Sequence, residues 1–194
     1  MKKIILRVAR NILRLFYSQE ILSGKWFTKY RIGYKWAFLS IPRRIMRRDI
    51  KVPYSKNATI FSGNNLDIDP SSINCLQSDI YLNNRLNKVT IGKNCYIASH
   101  VGIITEQHDL YNLEAHTLGK EIKLGDWCWI GMNAVIMPGV ELGDHTTVGA
   151  NSVVTKSFPK GYVVVAGVPA RVIRTIDKMT LRRSTYEGRY CSWS

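Results

Sequence analysis

A period of six constrains this chain more than any other feature. From residue 91 the sequence divides into IGKNCY (91–96), IASHVG (97–102) and IITEQH (103–108). After a break it resumes as LGDWCW (124–129), IGMNAV (130–135), IMPGVE (136–141), LGDHTT (142–147), VGANSV (148–153) and VTKSFP (154–159). A last unit, VAGVPA (165–170), stands one residue out of phase. The first place is always Ile, Leu or Val, and the second is mostly Gly or Ala. The fourth is often a turn former (Asn94, Asn133, Gly139, Asn151). The fifth is small or β-branched: Cys95, Val101, Cys128, Ala134, Val140, Thr146 and Ser152. Six is neither the helical period nor strand alternation. Three short strands joined by tight corners would close one triangular coil, with the branched first residue pointing inward and stacking on its counterpart in the next coil. Gly and Asn suit corners because they tolerate unusual dihedrals. The expected fold is therefore all-β, a parallel β-helix, with less regular first rungs around Ile60, Leu66, Ile68, Ile73 and Ile80.

Charge divides the chain differently. Residues 1–56 hold 15 Lys/Arg against two acids, and the remaining residues are near neutral. On a helical wheel of residues 3–16, Ile4, Ile5, Val8, Ala9, Ile12, Leu13, Leu15 and Phe16 fill one arc. Lys3, Arg7, Arg10, Asn11 and Arg14 fill the other, which predicts a basic amphipathic helix. KWFTKYRIGYKWAF and PRRIMRR follow, with aromatics interleaved among basic residues. That composition suits the headgroup region of an anionic membrane. A helix capping the open end of the β-helix is a compatible reading. No nucleic-acid-binding motif accompanies the basic patch, so a nucleic-acid partner is not expected. No apolar run approaches the roughly 20 residues of a membrane span, and no secretory signal is visible. Cys75, Cys95, Cys128 and Cys191 form no C-x-x-C pair, which fits a reduced, intracellular chain. The organisation expected is an N-terminal extension (1–56), a β-helix (57–174) interrupted by a loop at 109–122, and a tail (175–194).

The hexads, with WCWIGMNAVIMPGVELGD, VGANSVVTKSFP and VVAGVPARVIR, resemble the hexapeptide-repeat acetyltransferases, on the branch of galactoside, maltose and polysaccharide O-acetyltransferases. The likeness covers about residues 85–174 well and 57–84 loosely. It implies a left-handed β-helix, a homotrimer with active sites between subunits, acetyl-CoA as co-substrate and a saccharide acceptor. No metal is implied. A bacterial surface polysaccharide or its lipid-linked precursor is the acceptor class this reading favours, at the cytoplasmic face of the membrane. A small-molecule acetyltransferase and a non-catalytic β-helical scaffold are the alternatives.

His108 closes a hexad where the period breaks and a loop departs, the place of the family's catalytic His. An imidazole with an ordinary pKa near neutrality can take the proton of an attacking hydroxyl. His116 lies deeper in the loop and is a candidate acceptor contact. Where the family holds its acceptor with an acid or amide, this chain has YLNNRLNKVTIG, and Asn83 or Asn84 are the candidates. By the same resemblance, Met132 would offer its backbone N–H at the thioester. Ala150 would line the pantetheine arm, Thr155 and Lys156 the nucleotide end, and Arg171 and Arg174 the CoA phosphates, where charge-assisted bonds favour arginine. His100 and His145 fall at corner positions and are expected to be turn residues. Cys95 and Cys128 fall at the small fifth place and are expected to pack.

Overall fold

The computed structural model describes residues 2–117 and 119–178, with side chains from residue 7 onward. The 179–194 part of the expected tail, Cys191 included, lies outside the described residues, as do the side chains of Ile4 and Ile5. Four helices come first: α1 (Lys2–Leu13), α2 (Gln19–Ser23), α3 (Lys25–Thr28) and α4 (Gly33–Met46). Fourteen short strands follow, β1 (Thr59–Ile60), β2 (Leu66–Ile68), β3 (Tyr81–Asn83), β4 (Val89–Ile91), β5 (Tyr96–Ile97), β6 (Gly102–Ile104), β7 (Ile122–Leu124), β8 (Trp129–Ile130), β9 (Val135–Ile136), β10 (Glu141–Leu142), β11 (Thr147–Val148), β12 (Val153–Val154), β13 (Val163–Ala166) and β14 (Arg171–Thr175).

From β3 to β12 every third strand pairs in parallel, and β1, β2 and β13 each pair with a strand two places away, so three sheets form the faces of a prism. The first face is β1-β3-β6-β9-β12, the second β2-β4-β7-β10 and the third β5-β8-β11-β13. The fold is the left-handed β-helix expected from the hexads. Its last strand, β14, runs antiparallel to β13 and finishes the third face. In the regular coils first-place residues stack eighteen apart, as in Ile130↔Val148, Leu124↔Leu142 and Ile136↔Val154. The out-of-phase unit appears as a seventeen-residue step, Val148↔Val165. Ile103, Ile136, Val154, Ile130 and Val165 are fully buried, as are Cys95, Val101, Cys128, Ala134, Thr146 and Ser152 at the fifth place.

The corners explain the fourth place. Asn94, His100, Trp127, Asn133, His145 and Asn151 all have φ between 54° and 61°, and Gly139 has φ 80°. His100 and His145 are turn residues, as expected. Trp127 is a bulky residue in a backbone region that favours Gly and Asn; its ring stacks in parallel on His145, which in turn lies 4.9 Å from Tyr162.

The first coil is irregular because the 3-10 helix Pro70–Gln77 replaces its third strand. Residues 1–56 cover that end. Trp26 and Phe27 are buried, Trp26 Nε1 donates to Ser71 O (2.7 Å), and Lys25 Nζ donates to Asn94 Oδ1 (2.6 Å). One continuous cluster of buried side chains runs from Leu13 through the helices to Ala170. The boundary drawn at 56/57 therefore separates charge and not packing. The interleaved aromatics serve the capping role: the Trp26 ring packs against Tyr30, Trp36 and Tyr96 of β5 over the end of the prism, where the open coil would otherwise expose its apolar core. Among the described residues no helix is long and apolar enough to cross a membrane.

Candidate active site

The insertion that breaks the period is a rung-to-rung step of 33 residues. It is seen in Ile103↔Ile136, Ile97↔Ile130 and Ile91↔Leu124, against eighteen in the regular coils. The excursion starts after β6 and ends before β7, so Ile122, placed in the loop by the sequence, is the buried first residue of β7. The loop is a small hairpin. Lys120 N donates to Thr105 O (2.9 Å), Thr117 N to Gln107 O (2.8 Å) and Asp109 N to Ala115 O (2.9 Å), with His108 and His116 bridged across it. Asp109 caps the tip by accepting from Tyr111 N and Asn112 N. Gly119 crosses so close to Thr105 O and Asn87 Nδ2 that a Cβ would collide with both.

His108 thus stands on the outgoing limb, exposed, with Nδ1 2.7 Å from Leu113 O. A carbonyl can only accept, so Nδ1 carries the proton and Nε2 presents its lone pair. The His116 ring lies 4.4 Å from the His108 ring, centroid to centroid, which brings the two loop histidines together. Asn83 sits on the neighbouring rung: Thr105 N and Oγ1 both donate to its carbonyl (2.9 Å each), and its side-chain Oδ1 is buried without a partner. Asn84 is used otherwise. It is fully buried, its Nδ2 donates to Ser62 O and its Oδ1 accepts from Ser62 N (3.0 Å). Both ends of that amide hold the first coil, which leaves Asn83 as the asparagine with an open acceptor.

Met132 and Ala150 occupy the corner before β9 and β12, one above the other. Asn151 N donates to Met132 O (2.9 Å), and Asn133 Nδ2 donates to Asn151 Oδ1 (3.1 Å) on the same corner. Gly131 permits this nesting, since a Cβ there would lie 2.6 Å from Ala150 N. Thr155 and Lys156 are exposed just after β12, at the corner from which the His108 loop departs after β6, two rungs away. At a rung spacing of about 4.8 Å that is roughly 10 Å. The Met132–Ala150 corner and the His108–Thr155–Lys156 corner are thus the two ends of the same short strands and flank one face of the prism. Arg171 and Arg174 are exposed on β14; Arg171 Nη1 donates to Ala170 O (3.0 Å).

Sequence reasoning missed Glu106. Its carboxylate is buried at the root of the loop, 3.7 Å from Arg85 Nε and without a hydrogen bond. The available signal was a glutamate at a fourth place, where turn formers stand elsewhere. Burial pushes the Cys75 thiol up, and a hydrogen bond with Cys95 together with burial raises Cys128, while the hydrogen bond with Cys128 lowers Cys95; all three are fully buried, so none of the described cysteines presents an accessible nucleophile. Among the described residues no three His, Cys, Asp or Glu side chains are grouped to hold a metal ion.

Coil geometry, corner conformations and the loop excursion define a hexapeptide-repeat β-helix. Known proteins agree. Residues 121–156 match the family described as bacterial transferase hexapeptide (six repeats). A putative acetyltransferase of Dictyostelium discoideum is 50% identical over 91 residues, covering 45% of this chain and 47% of that protein. Galactoside O-acetyltransferase of Escherichia coli (strain K12) is 44% identical over 96 residues, covering 46% and 45%. The crystal structure of a maltose O-acetyltransferase from Clostridium difficile 630 superposes with a TM-score of 0.56 at 25% identity, over 89% of this chain and 86% of that one. The β-helix of this chain is accordingly similar to the hexapeptide-repeat domains of the galactoside and maltose O-acetyltransferases. The chain spans about half the length of the curated relatives it matches.

Proposed function

We propose that the chain is an acetyl-CoA-dependent O-acetyltransferase acting on a sugar hydroxyl, with His108 as general base. The observation that carries this reading is the His108 Nδ1–H to Leu113 O bond, which leaves Nε2 free at the mouth of the loop. Nε2 takes the acceptor's hydroxyl proton as its oxygen bonds to the thioester carbon; the C–S bond then breaks, and the proton passes to the CoA sulfur. The Met132 N–H is assigned to the developing oxyanion, which a fixed donor stabilises. Asn83 and His116 are assigned to the acceptor, Ala150 to the pantetheine arm, Thr155 and Lys156 to the nucleotide end, and Arg171 and Arg174 to the phosphates.

The acceptor in this reading is a bacterial surface polysaccharide or its lipid-linked precursor, and the working form is a homotrimer whose subunits share each site. The charge on residues 1–56 supports a peripheral position at the anionic, cytoplasmic face of the membrane. Release of free thiol from acetyl-CoA in the presence of saccharide acceptors tests the reaction. His108→Ala should lower kcat by roughly 10²–10⁴ while acetyl-CoA still binds. Near-normal turnover in that variant removes His108 from the mechanism, and absence of thiol release by the unaltered protein with every saccharide removes the activity.

A further inference from the structure

The α1–α4 pair has an inner and an outer side. Leu13, Tyr17, Ala37 and Ser40 are buried between and beneath the helices, with Tyr17 Oη 2.6 Å from Ser40 Oγ. The apolar arc of α1 is wider than this packing needs. Val8 and Ile12, four apart on α1, are 54% and 43% exposed, and Leu15, in the turn just after the helix, is 80% exposed. On α4, Phe38 and Ile45 are exposed seven residues apart, as are Leu39 and Met46, the last at 83%. Leu15, Phe16, Arg44, Ile45 and Arg48 line a groove of about 280 Å³ between the two helices. Arg44 Nη1 donates to Arg48 O (2.6 Å), while Arg44 Nε is buried with no partner. Of the two acids in residues 1–56, Asp49 is engaged by Arg47, and neither Asp49 nor Glu20 lines the groove.

We infer that this outer side is the surface that docks on an anionic phospholipid leaflet, with Leu15 and Ile45 entering the acyl region and Arg44 and Arg48 holding a lipid phosphate. The inference rests on the reading of residues 1–56 as a membrane anchor and names the face that does it. Charge complementarity selects the occupant. A two-fold contact with a second copy would bring arginines against arginines around the apolar stripe, whereas a leaflet of phosphodiesters supplies both the anion and the apolar medium.

The test is co-sedimentation of the full chain with vesicles of phosphatidylcholine alone, and of phosphatidylcholine with one third phosphatidylglycerol. The unaltered protein should bind the anionic vesicles far better. Leu15→Glu with Ile45→Glu should abolish binding, and Arg44→Gln with Arg48→Gln should weaken it about thirty-fold, given roughly 1 kcal/mol per basic residue at the surface. Lys51→Gln with Lys56→Gln removes the same charge from exposed positions beyond α4 and should cost less than about threefold. Unchanged circular dichroism shows that the variants remain folded. If the unaltered protein binds anionic vesicles but the groove variants match the lysine control, this face is wrong and the anchor reading stands. If it binds no vesicle, both fall. If the groove variants instead change the oligomeric state on gel filtration, the face joins copies of the chain and the proposal is overturned.

Discussion

Replacing Trp26 with alanine asks whether the helical segment is an appendage or part of the β-helix. Trp26 is fully buried, its ring centroid is 4.9 Å from that of Tyr30, 5.2 Å from Trp36 and 6.5 Å from Tyr96, and its Nε1 donates to Ser71 in the 3-10 helix that closes the first coil. A buried tryptophan covers about 150–250 Å², which at ~25 cal/mol per Å² is about 4–6 kcal/mol. Measured truncations of buried aromatics cost about 3–5 kcal/mol. For a chain of this size each kcal/mol moves the midpoint by about 2–4 °C, so Trp26→Ala should lower the thermal midpoint by about 6–20 °C. Trp26→Phe keeps most of the apolar area but leaves the Ser71 carbonyl unpaired. That costs about 1–3 kcal/mol, so its midpoint should fall between the other two. Far-ultraviolet circular dichroism during heating is the assay, because it follows the loss of the helices and of the β-helix together. A Trp26→Ala midpoint within about 2 °C of the unaltered protein would refute the reasoning: the core would not be continuous across residue 56.

Arg171→Ala and Arg174→Ala should each raise the KM for acetyl-CoA about tenfold or more, as loss of a charge-assisted bond predicts, with little change in kcat; a kcat effect at constant KM would contradict the phosphate assignment. The Arg47 guanidinium, bonded to both Asp49 oxygens, and the Gly63 N–H hold the Asp49 carboxyl at about 2, below its ordinary value of 3.8. A depressed folded-state pKa gives stabilisation that is complete above about pH 4 and is lost as pH falls towards 2. Asp49→Asn should therefore have a lower midpoint than the unaltered protein at pH 6, with the gap closing between pH 4 and 2; a gap that stays constant over that range would show that the pair contributes nothing.

The corners illustrate how far sequence reasoning reached. In six of the nine hexads the fourth place has φ near +55°, so Asn94, Asn133 and Asn151 announced themselves, and His100 and His145 could be assigned to turns by position alone. The same logic located the loop, because a break in a strict period is visible without coordinates. It misplaced both ends: the excursion leaves after Ile104, so Gln107 and His108 belong to its outgoing limb, and it returns at Ile122, because residues beside a loop can match the period without joining the coil. The asparagine pair shows the limit. Asn83 and Asn84 are adjacent and chemically identical, yet one amide is consumed by Ser62 and the other keeps a free oxygen. That difference is made by a residue more than twenty positions away.

What the sequence determined by itself is the prism: a six-residue period acts through neighbours in the chain, and each coil repeats the instruction, so β-helix, inward stack and loop exit are all local information. What only the tertiary structure decided is how unlike segments meet. Trp26 and Phe27, interleaved with basic residues as if for a lipid surface, turn inward because the irregular first coil leaves an apolar end to cover. The arc of α1 divides in the same way: Leu13 faces the core, while Val8 and Ile12 stay bare, as does Leu15 in the turn that follows. Amphipathicity states that a helix has an apolar side, but only its packing partners decide how much of that side is used.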